Sequence, residues 1–240
     1  MTAIAFFIAI GLGLVHVFGA YLSFLGTEPR SRWLSAGAGA TVAFLFMYLL
    51  PELSDFRELL AGHDTLGLID ELTHLLALAG VAVFYALEHF AFYAREASDD
   101  TESDVSHDYV FWIHIGWYAL YNIIIGLLLL YGDQQTGQGL ALYGVAMAIH
   151  FFIVDASMRH HHQHVYHATG RWILGAAVVA GWMIGALIPL SLEFIAASTA
   201  FLIGGMLITA VKDELPARRE TRLAPFLFSA SFTALFLVIL

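Results

Sequence analysis

Cysteine is absent from the 240 residues of this sequence, and lysine occurs only once, at position 212. Without cysteine the chain has neither disulfide bonds nor thiolate metal ligands. Charged residues make up only 12% of the sequence, and the net charge is −10. An acidic chain that is poor in lysine lacks the basic surface that nucleic acids require, so nucleic acid is excluded as a partner.

Hydrophobic residues dominate what remains, at 60% of the sequence with a mean hydropathy of +0.77. This composition is typical of a membrane protein, and about 20 apolar residues in a helix span the hydrocarbon core. Strand-like alternation is not visible, so the segments are expected to be helices. We therefore predict an all-α polytopic membrane protein, a single transmembrane domain over 1–240, with eight apolar segments: 3–25, 33–53, 69–94, 109–131, 138–158, 171–190, 192–211 and 223–240.

The positive charges predict how these eight segments are oriented. Nine of the ten basic residues fall in connections that eight spans would place on one side of the membrane, and Arg57 alone falls on the other. Basic residues concentrate on the cytoplasmic side. We therefore expect both termini outside a plasma or inner membrane, with these residues inside: Arg30, Arg32, Arg95, Arg159, Arg171, Lys212, Arg218, Arg219 and Arg222.

The chain also divides at an acidic segment, 95–108, which is expected to be a cytoplasmic loop between helices 1–3 (3–94) and helices 4–8 (109–240). The second and seventh apolar segments are both rich in small residues, and both end in an acidic residue close to a proline. These two helices would run in opposite directions. The pattern therefore predicts an inverted repeat that relates helices 1–3 to helices 6–8.

Polar residues interrupt the fourth and fifth segments near their middles. Asn122 lies in one and His150 in the other, and Asp155 follows five residues later. Polar side chains are costly at membrane depth and mark transport pathways or sites. His16, alone on the first apolar segment, is expected to form a hydrogen bond with a neighbouring helix.

Eight helices divided three, two and three resemble the ZIP-type zinc/iron permeases. Residues 36–53, which run into Leu-Leu-Pro-Glu, are similar to that family's second helix, 76–90 to its third, and 201–216 to its seventh. The resemblance implies a transporter of divalent cations (the Zn²⁺, Fe²⁺ and Mn²⁺ class, with Zn²⁺ favoured), and not an enzyme. It also leaves a homodimer open.

The metal-binding patterns of that family, His-Asn-x-x-Asp/Glu-Gly and His-Glu-x-x-His-Glu, are incomplete in this chain. The first falls on residues 121–126, where Asn122 and Gly126 match but Tyr121 replaces the histidine and isoleucine replaces the acid. The second falls on 150–155, where His150 matches and Asp155 keeps the final acid. Tyr48 stands where the second helix of the family often has a histidine.

The resemblance therefore implies a weakened midplane metal site made by Asn122, His150 and Asp155, in a transport pathway that also includes Tyr121 and Tyr48. A zinc or iron site needs about four nitrogen or oxygen ligands. Asp155 lies about 140° around the helix from His150, so the two side chains do not both point squarely at one ion. The sequence thus predicts an altered site rather than a full paired-metal site.

A second group of histidines follows the fifth segment. His160, His164 and His167 share a helix face at i, i+4 and i+7, a spacing that can chelate a transition metal on the cytoplasmic side. A solvated polar helix extension is the alternative interpretation. The single lysine lies at the end of a helix, not at mid-depth, so retinal is not expected, and neither haem nor flavin is expected.

Two other functions stay open at this stage. One is a ZIP-fold protein that does not transport and instead senses metal or binds partners through its histidine tract. The other is an intramembrane zinc hydrolase, in which His and Asp would hold Zn²⁺ and activate water.

Overall fold

The computed structural model describes residues 2–19, 21, 32–61, 69–99, 105–131, 136–161, 165–210 and 222–239, most of which are helical. The fourth helix continues to Asp99 and the fifth begins at Val105, so both extend into the segment 95–108 that was expected to be a loop. The helices are α1 (Thr2–Phe18), α2 (Arg32–Phe44), α3 (Leu50–Ala61), α4 (Ile69–Asp99), α5 (Val105–Leu128), α6 (Gly137–His161), α7 (Arg171–Leu187), α8 (Leu192–Thr209) and α9 (Leu223–Ile239).

Within the described residues, five helical segments are long and apolar enough to cross a membrane: Arg32–Asp55, Phe111–Leu128, Gly137–Arg159, Tyr166–Leu187 and Leu192–Thr209. Three shorter apolar helices accompany them: Thr2–Phe18, Glu71–Leu87 and Leu223–Ile239. The prediction of a helical membrane protein is confirmed. Most of the basic residues that carried the orientation argument lie outside the described residues or have undescribed side chains.

A π-helical turn, Leu45–Leu49, joins α2 to α3. Two residues after it comes Pro51, which has no backbone N–H and whose ring would collide with the carbonyl of Met47 in a regular α-helix. The turn is wider here, and the N–H of Leu50 donates to the carbonyl of Leu45, five residues back. Tyr48 lies within this turn, so its position relative to α2 differs from that in a continuous α-helix.

Glycines allow several helix pairs to approach at the level of the backbone, among them α2 with α9 and α4 with α8. A β-carbon on Gly39 of α2 would overlap the carbonyl of Phe226 on α9 and meet the amide nitrogen four residues further on. A β-carbon on Gly204 of α8 would overlap the carbonyl of Ala77 on α4 and again meet the amide nitrogen four residues further on. Small residues at such crossings are typical of helix packing in membranes. The α2–α9 and α4–α8 pairs therefore share one local geometry.

Helices α1 and α7 cross at a third glycine contact, which is reciprocal. A β-carbon on Gly13 would lie 2.9 Å from the carbonyl oxygen of Gly175, and one on Gly175 would lie 2.9 Å from the carbonyl oxygen of Gly13. The two helices thus meet at equivalent points of their backbones.

The core lies where α1, α5, α6 and α8 meet, around fully buried side chains such as Ile125, Tyr143, Met147 and Phe151. By contrast, α9 has no buried residue, and Phe228, Phe232 and Phe236 form a stacked row along its exposed surface. Several buried polar side chains are located within this core, and they form the candidate site.

Candidate functional site: two buried polar clusters

A histidine and a carboxylate meet between α1 and α6. His16 Nδ1 lies 2.8 Å from Asp155 Oδ1, and the two side chains are only 1% and 0% exposed. An unpaired polar group is costly in such a place. The expectation that His16 forms a hydrogen bond with a neighbouring helix is confirmed, and its partner is Asp155.

Asn122 on α5 holds the other side of the same imidazole. Its Nδ2 donates to the carbonyl of Leu174 at 3.3 Å and lies 2.9 Å from His16 Nε2. An amide nitrogen only donates, so Nε2 accepts and the ring proton is on Nδ1, from which it is donated to Asp155. The contacts of Asn122 therefore select one tautomer of His16.

Asp155 receives a second donor from Tyr166, whose hydroxyl donates to the same Oδ1 atom. Tyr166 begins a second π-helical turn, Tyr166–Gly170, directly before α7. One turn along α6, Arg159 Nη1 lies 4.0 Å from Asp155 Oδ2, which is an ion-pair distance but too long for a hydrogen bond. Two hydrogen bonds and one nearby cation thus compensate the buried carboxylate. We refer to His16, Asn122, Asp155 and Tyr166 as the carboxylate network.

A second group, the tyrosine–histidine cluster, consists of Tyr48, Tyr121, Tyr143 and His150. His150 is 0% exposed, and its ring centroid lies 5.8 Å from that of Tyr121. Tyr143 is fully buried, donates a hydrogen bond to the carbonyl of Ile125 at 3.4 Å, and lies within electrostatic range of Tyr48, Tyr121 and Glu52. The cluster therefore joins α5 and α6 to the π-turn that carries Tyr48.

Phe151 is the residue at which the two groups adjoin. Its ring centroid lies 4.4 Å from that of His16 and 6.2 Å from that of His150. Along α6 the polar positions run from Tyr143 to Arg159, a distance of about 24 Å at 1.5 Å per residue. The two clusters thus follow one another along most of the length of the helix, on faces that are about 140° apart. We refer to them together as the polar column.

The residues predicted for the midplane site and pathway are divided between these clusters. Asn122 and Asp155 come together through His16, whereas Tyr121, His150 and Tyr48 belong to the tyrosine–histidine cluster. In the described part of the chain, no three His, Asp or Glu side chains are grouped closely enough to hold a metal ion. Any cation that visits the column would rely partly on amide, phenol or water oxygens.

Most of the histidine tract lies beyond what the structure describes. His164 is outside the described residues, and so is the side chain of His160. His167 is described, and it is exposed in the π-turn Tyr166–Gly170. Whether these three side chains share a face stays a prediction.

Sequence reasoning missed two members of the carboxylate network as site residues. His16 was assigned only a structural hydrogen bond, and Tyr166 is embedded in the histidine tract, where it carries no pattern of its own. His16 and Asp155 are 139 positions apart, so no local spacing connects them. A lone histidine in a first apolar helix was the one available signal.

Comparison with known proteins gives no match for this chain: no family model, no curated protein and no solved structure resembles it significantly.

Proposed function

We propose that the chain is a ZIP-like membrane carrier whose cargo is a divalent transition-metal cation of the Zn²⁺, Fe²⁺ and Mn²⁺ class. The observation that carries this proposal is the polar column, in which Tyr143, His150 and Asp155 follow one another along α6 inside an otherwise apolar core. Buried ionisable residues in membrane helices typically line ion or proton pathways.

The proposed architecture has eight spans arranged three, two and three, with helices 1–3 and 6–8 forming an inverted repeat and both termini outside. Under this repeat, α2 and α8 are equivalent, as are α4 and α9. The contacts of Gly39 with Phe226 and of Gly204 with Ala77 lie on the helix pairs that this repeat makes equivalent, α2–α9 and α8–α4, and they support it to that extent. The same kind of contact also joins Gly126 to Val178, between α5 and α7, which the repeat does not relate to the other two pairs. The reciprocal Gly13–Gly175 contact supports a pseudo-twofold axis between α1 and α7.

The chemistry of the column suits a cation that binds weakly and moves on. Glu52 is largely buried near one end, His150 offers an imidazole midway, and Asp155 and His16 lie near the other end. Each position supplies one or two protein ligands of the N and O type that divalent transition metals accept. Conduction requires binding that is favourable enough for entry yet weak enough for exit. The described residues of the column contain no group of three metal ligands. Such a column is better suited to the passage of a cation than to its tight binding.

The test is metal flux into proteoliposomes that hold a fluorescent metal indicator, with Zn²⁺, Fe²⁺, Mn²⁺ and Cd²⁺ supplied outside. We expect flux in the unchanged protein and its loss in His150→Ala. His89→Ala is the matched control, because His89 is an exposed histidine on α4 that stacks on Tyr85. If none of the four ions enters, or if both histidine variants transport alike, the proposal is wrong.

A non-transporting metal sensor is the second candidate, favoured by the histidine tract, of which the described His167 is exposed. In this version the histidine tract binds metal at the cytoplasmic surface. Calorimetric titration of Zn²⁺ into the protein, compared with a variant in which His160, His164 and His167 are all alanine, separates the two candidates. Unchanged affinity in the triple variant would remove the support for a sensor.

A further inference from the structure

A cleft of about 860 Å³ lies between α1, α2, α6 and α9, on the outside of the helix bundle. Its lining is almost wholly apolar and includes Leu14, Ala40, Ile149 and Phe152. From Gly11 to Gly19 the cleft follows α1 for about 12 Å. The cleft is open on one side, so the hydrocarbon chain of a lipid can enter it from the bilayer.

One end of the cleft has the residues of a membrane–water interface. Phe18, Tyr21 and Trp33 line this end and are 54%, 72% and 71% exposed. Tyrosine and tryptophan concentrate at the level of the lipid headgroups. A lipid in the cleft would therefore have its headgroup at this end and its chain pointing towards Gly11.

Two arginines and one carboxylate lie at the same end of the cleft. A β-carbon on Gly19 would lie 3.3 Å from Arg159 Nη1 and 3.5 Å from Asp155 Oδ2, and the Arg159 guanidinium lies 5.9 Å from the ring centroid of Phe152 in the cleft wall. Arg171 donates to the carbonyl of Val17 at 3.3 Å, which places a second guanidinium at this end of α1.

Asp155 supplies one negative charge against these two arginines. Its Oδ1 already accepts from His16 and Tyr166. Arg159 Nη1 has no hydrogen-bond partner among the described residues, and the same is true of Arg171 Nε. These two nitrogens are buried, but 19% of the Arg159 side chain is exposed, so the guanidinium can reach a phosphate oxygen at this end of the cleft. Of the described charged side chains named here, two are arginines and one is a carboxylate.

We propose that this cleft is a binding site for an anionic phospholipid, with one hydrocarbon chain along α1 and the phosphate at Arg159. Basic pockets between membrane helices on the cytoplasmic side bind anionic headgroups. The two arginines favour an anionic lipid over an uncharged one. The aromatic residues at the same end favour a lipid, whose headgroup lies at that level, over a helix from a second copy of the protein. The headgroup end of this site adjoins the proposed cation pathway, because Arg159 lies 4.0 Å from Asp155, but lipid binding in the cleft does not depend on transport.

The test measures tryptophan fluorescence, which bromine atoms on a lipid quench at short range. The protein has five tryptophans. The protein is reconstituted in phosphatidylcholine vesicles, and brominated phosphatidylglycerol or brominated phosphatidylcholine is added in steps. The fluorescence of Trp33 is obtained as the difference in emission between the unchanged protein and the Trp33→Phe variant. We expect saturable quenching by phosphatidylglycerol at concentrations about tenfold below those needed for phosphatidylcholine, as one charge contact of about 1.4 kcal/mol would give.

Two variants separate the chain site from the headgroup site. Gly11→Leu fills the cleft, since among the described residues no non-neighbouring atom lies within 4 Å of a β-carbon there, and it should abolish saturation. Gly116→Leu is the matched control, because Gly116 is equally open but does not line the cleft, and it should change nothing. Arg159→Gln should remove the preference for phosphatidylglycerol but keep chain binding.

The proposal is overturned by any of three results. Quenching that rises linearly for both lipids would mean ordinary contact with bulk lipid. Saturation that persists in Gly11→Leu would place the lipid elsewhere. No quenching of Trp33 in the unchanged protein would mean that something else, such as a second copy of the chain, covers the cleft.

Discussion

His16 and Asp155 are joined by a 2.8 Å hydrogen bond across 139 positions of sequence, and neither is more than 1% exposed. The bond links the first apolar helix to the sixth described helix at a point where Asn122 and Tyr166 also converge. A carboxylate with these partners is both a structural junction of the bundle and the most polar point on the proposed cation pathway.

Asp155 is expected to be necessary for stability. In Asp155→Leu the buried donors of His16 and Tyr166 lose their acceptor, and each buried donor that is left unsatisfied costs about 1–3 kcal/mol. Asp155→Asn keeps one acceptor oxygen, so its loss should be smaller. Thermal unfolding in detergent measures both, with His89→Leu, at an exposed histidine, as the control. Equal melting temperatures for Asp155→Leu and the unchanged protein would contradict the assigned network.

Tyr166→Phe removes one hydroxyl that donates to Asp155 Oδ1. Hydrogen bonds between membrane helices contribute about 1–2 kcal/mol, so we expect a destabilisation of that order in urea or thermal unfolding. Tyr85→Phe is the matched control, because Tyr85 is 61% exposed on α4. If the two phenylalanine variants unfold alike, Tyr166 does not stabilise the network.

Pro51→Ala should convert the π-turn Leu45–Leu49 into a regular α-helix. We attribute the turn to proline, since proline lacks the donor and crowds the carbonyl four residues back. Replacing the π-turn by an α-helical turn changes the helical register by one residue, about 100°. This change rotates Tyr48 relative to the rest of the tyrosine–histidine cluster. We expect a more stable protein with reduced metal flux. Flux that remains at the original level would separate the π-turn from the proposed pathway.

Gly204→Ala and Gly39→Ala should destabilise the protein to a similar degree. In each case the new β-carbon overlaps a backbone carbonyl of the partner helix, on Ala77 or on Phe226. Overpacking of this kind costs about 1–3 kcal/mol. Gly116→Ala, where the β-carbon meets open space, is the control. A large loss in one variant and none in the other would weaken the case for an inverted repeat.

Much of the fold could be predicted from local properties of the sequence. The apolar segments and the scarcity of charge predict helices in a membrane, because the bilayer forces each segment to satisfy its own backbone hydrogen bonds. Helix ends were less predictable. The long α4 continues to Asp99, through residues whose polar composition predicted a loop. Hydropathy identifies only the apolar part of a helix, so it does not show where a helix continues into water through polar residues.

The candidate site was only partly predictable. The sequence singled out Asn122, His150 and Asp155 because polar groups at membrane depth are costly wherever their partners are. It did not reveal that Asn122 and Asp155 meet through His16, or that His150 packs on Tyr121 instead. Family patterns favoured ligands at i and i+4 on two helices, whereas the observed network draws on α1, α5, α6 and a π-turn.

The sequence by itself determined that this is a helical membrane protein and that a few polar residues lie at costly positions, because hydropathy and helix periodicity are properties of neighbouring residues. Only the tertiary structure decided which of those residues pair. His16 and Asp155 can form a hydrogen bond only because α1 and α6 pack side by side. That packing depends on contacts between distant parts of the chain, such as the close approach of Gly13 to Gly175.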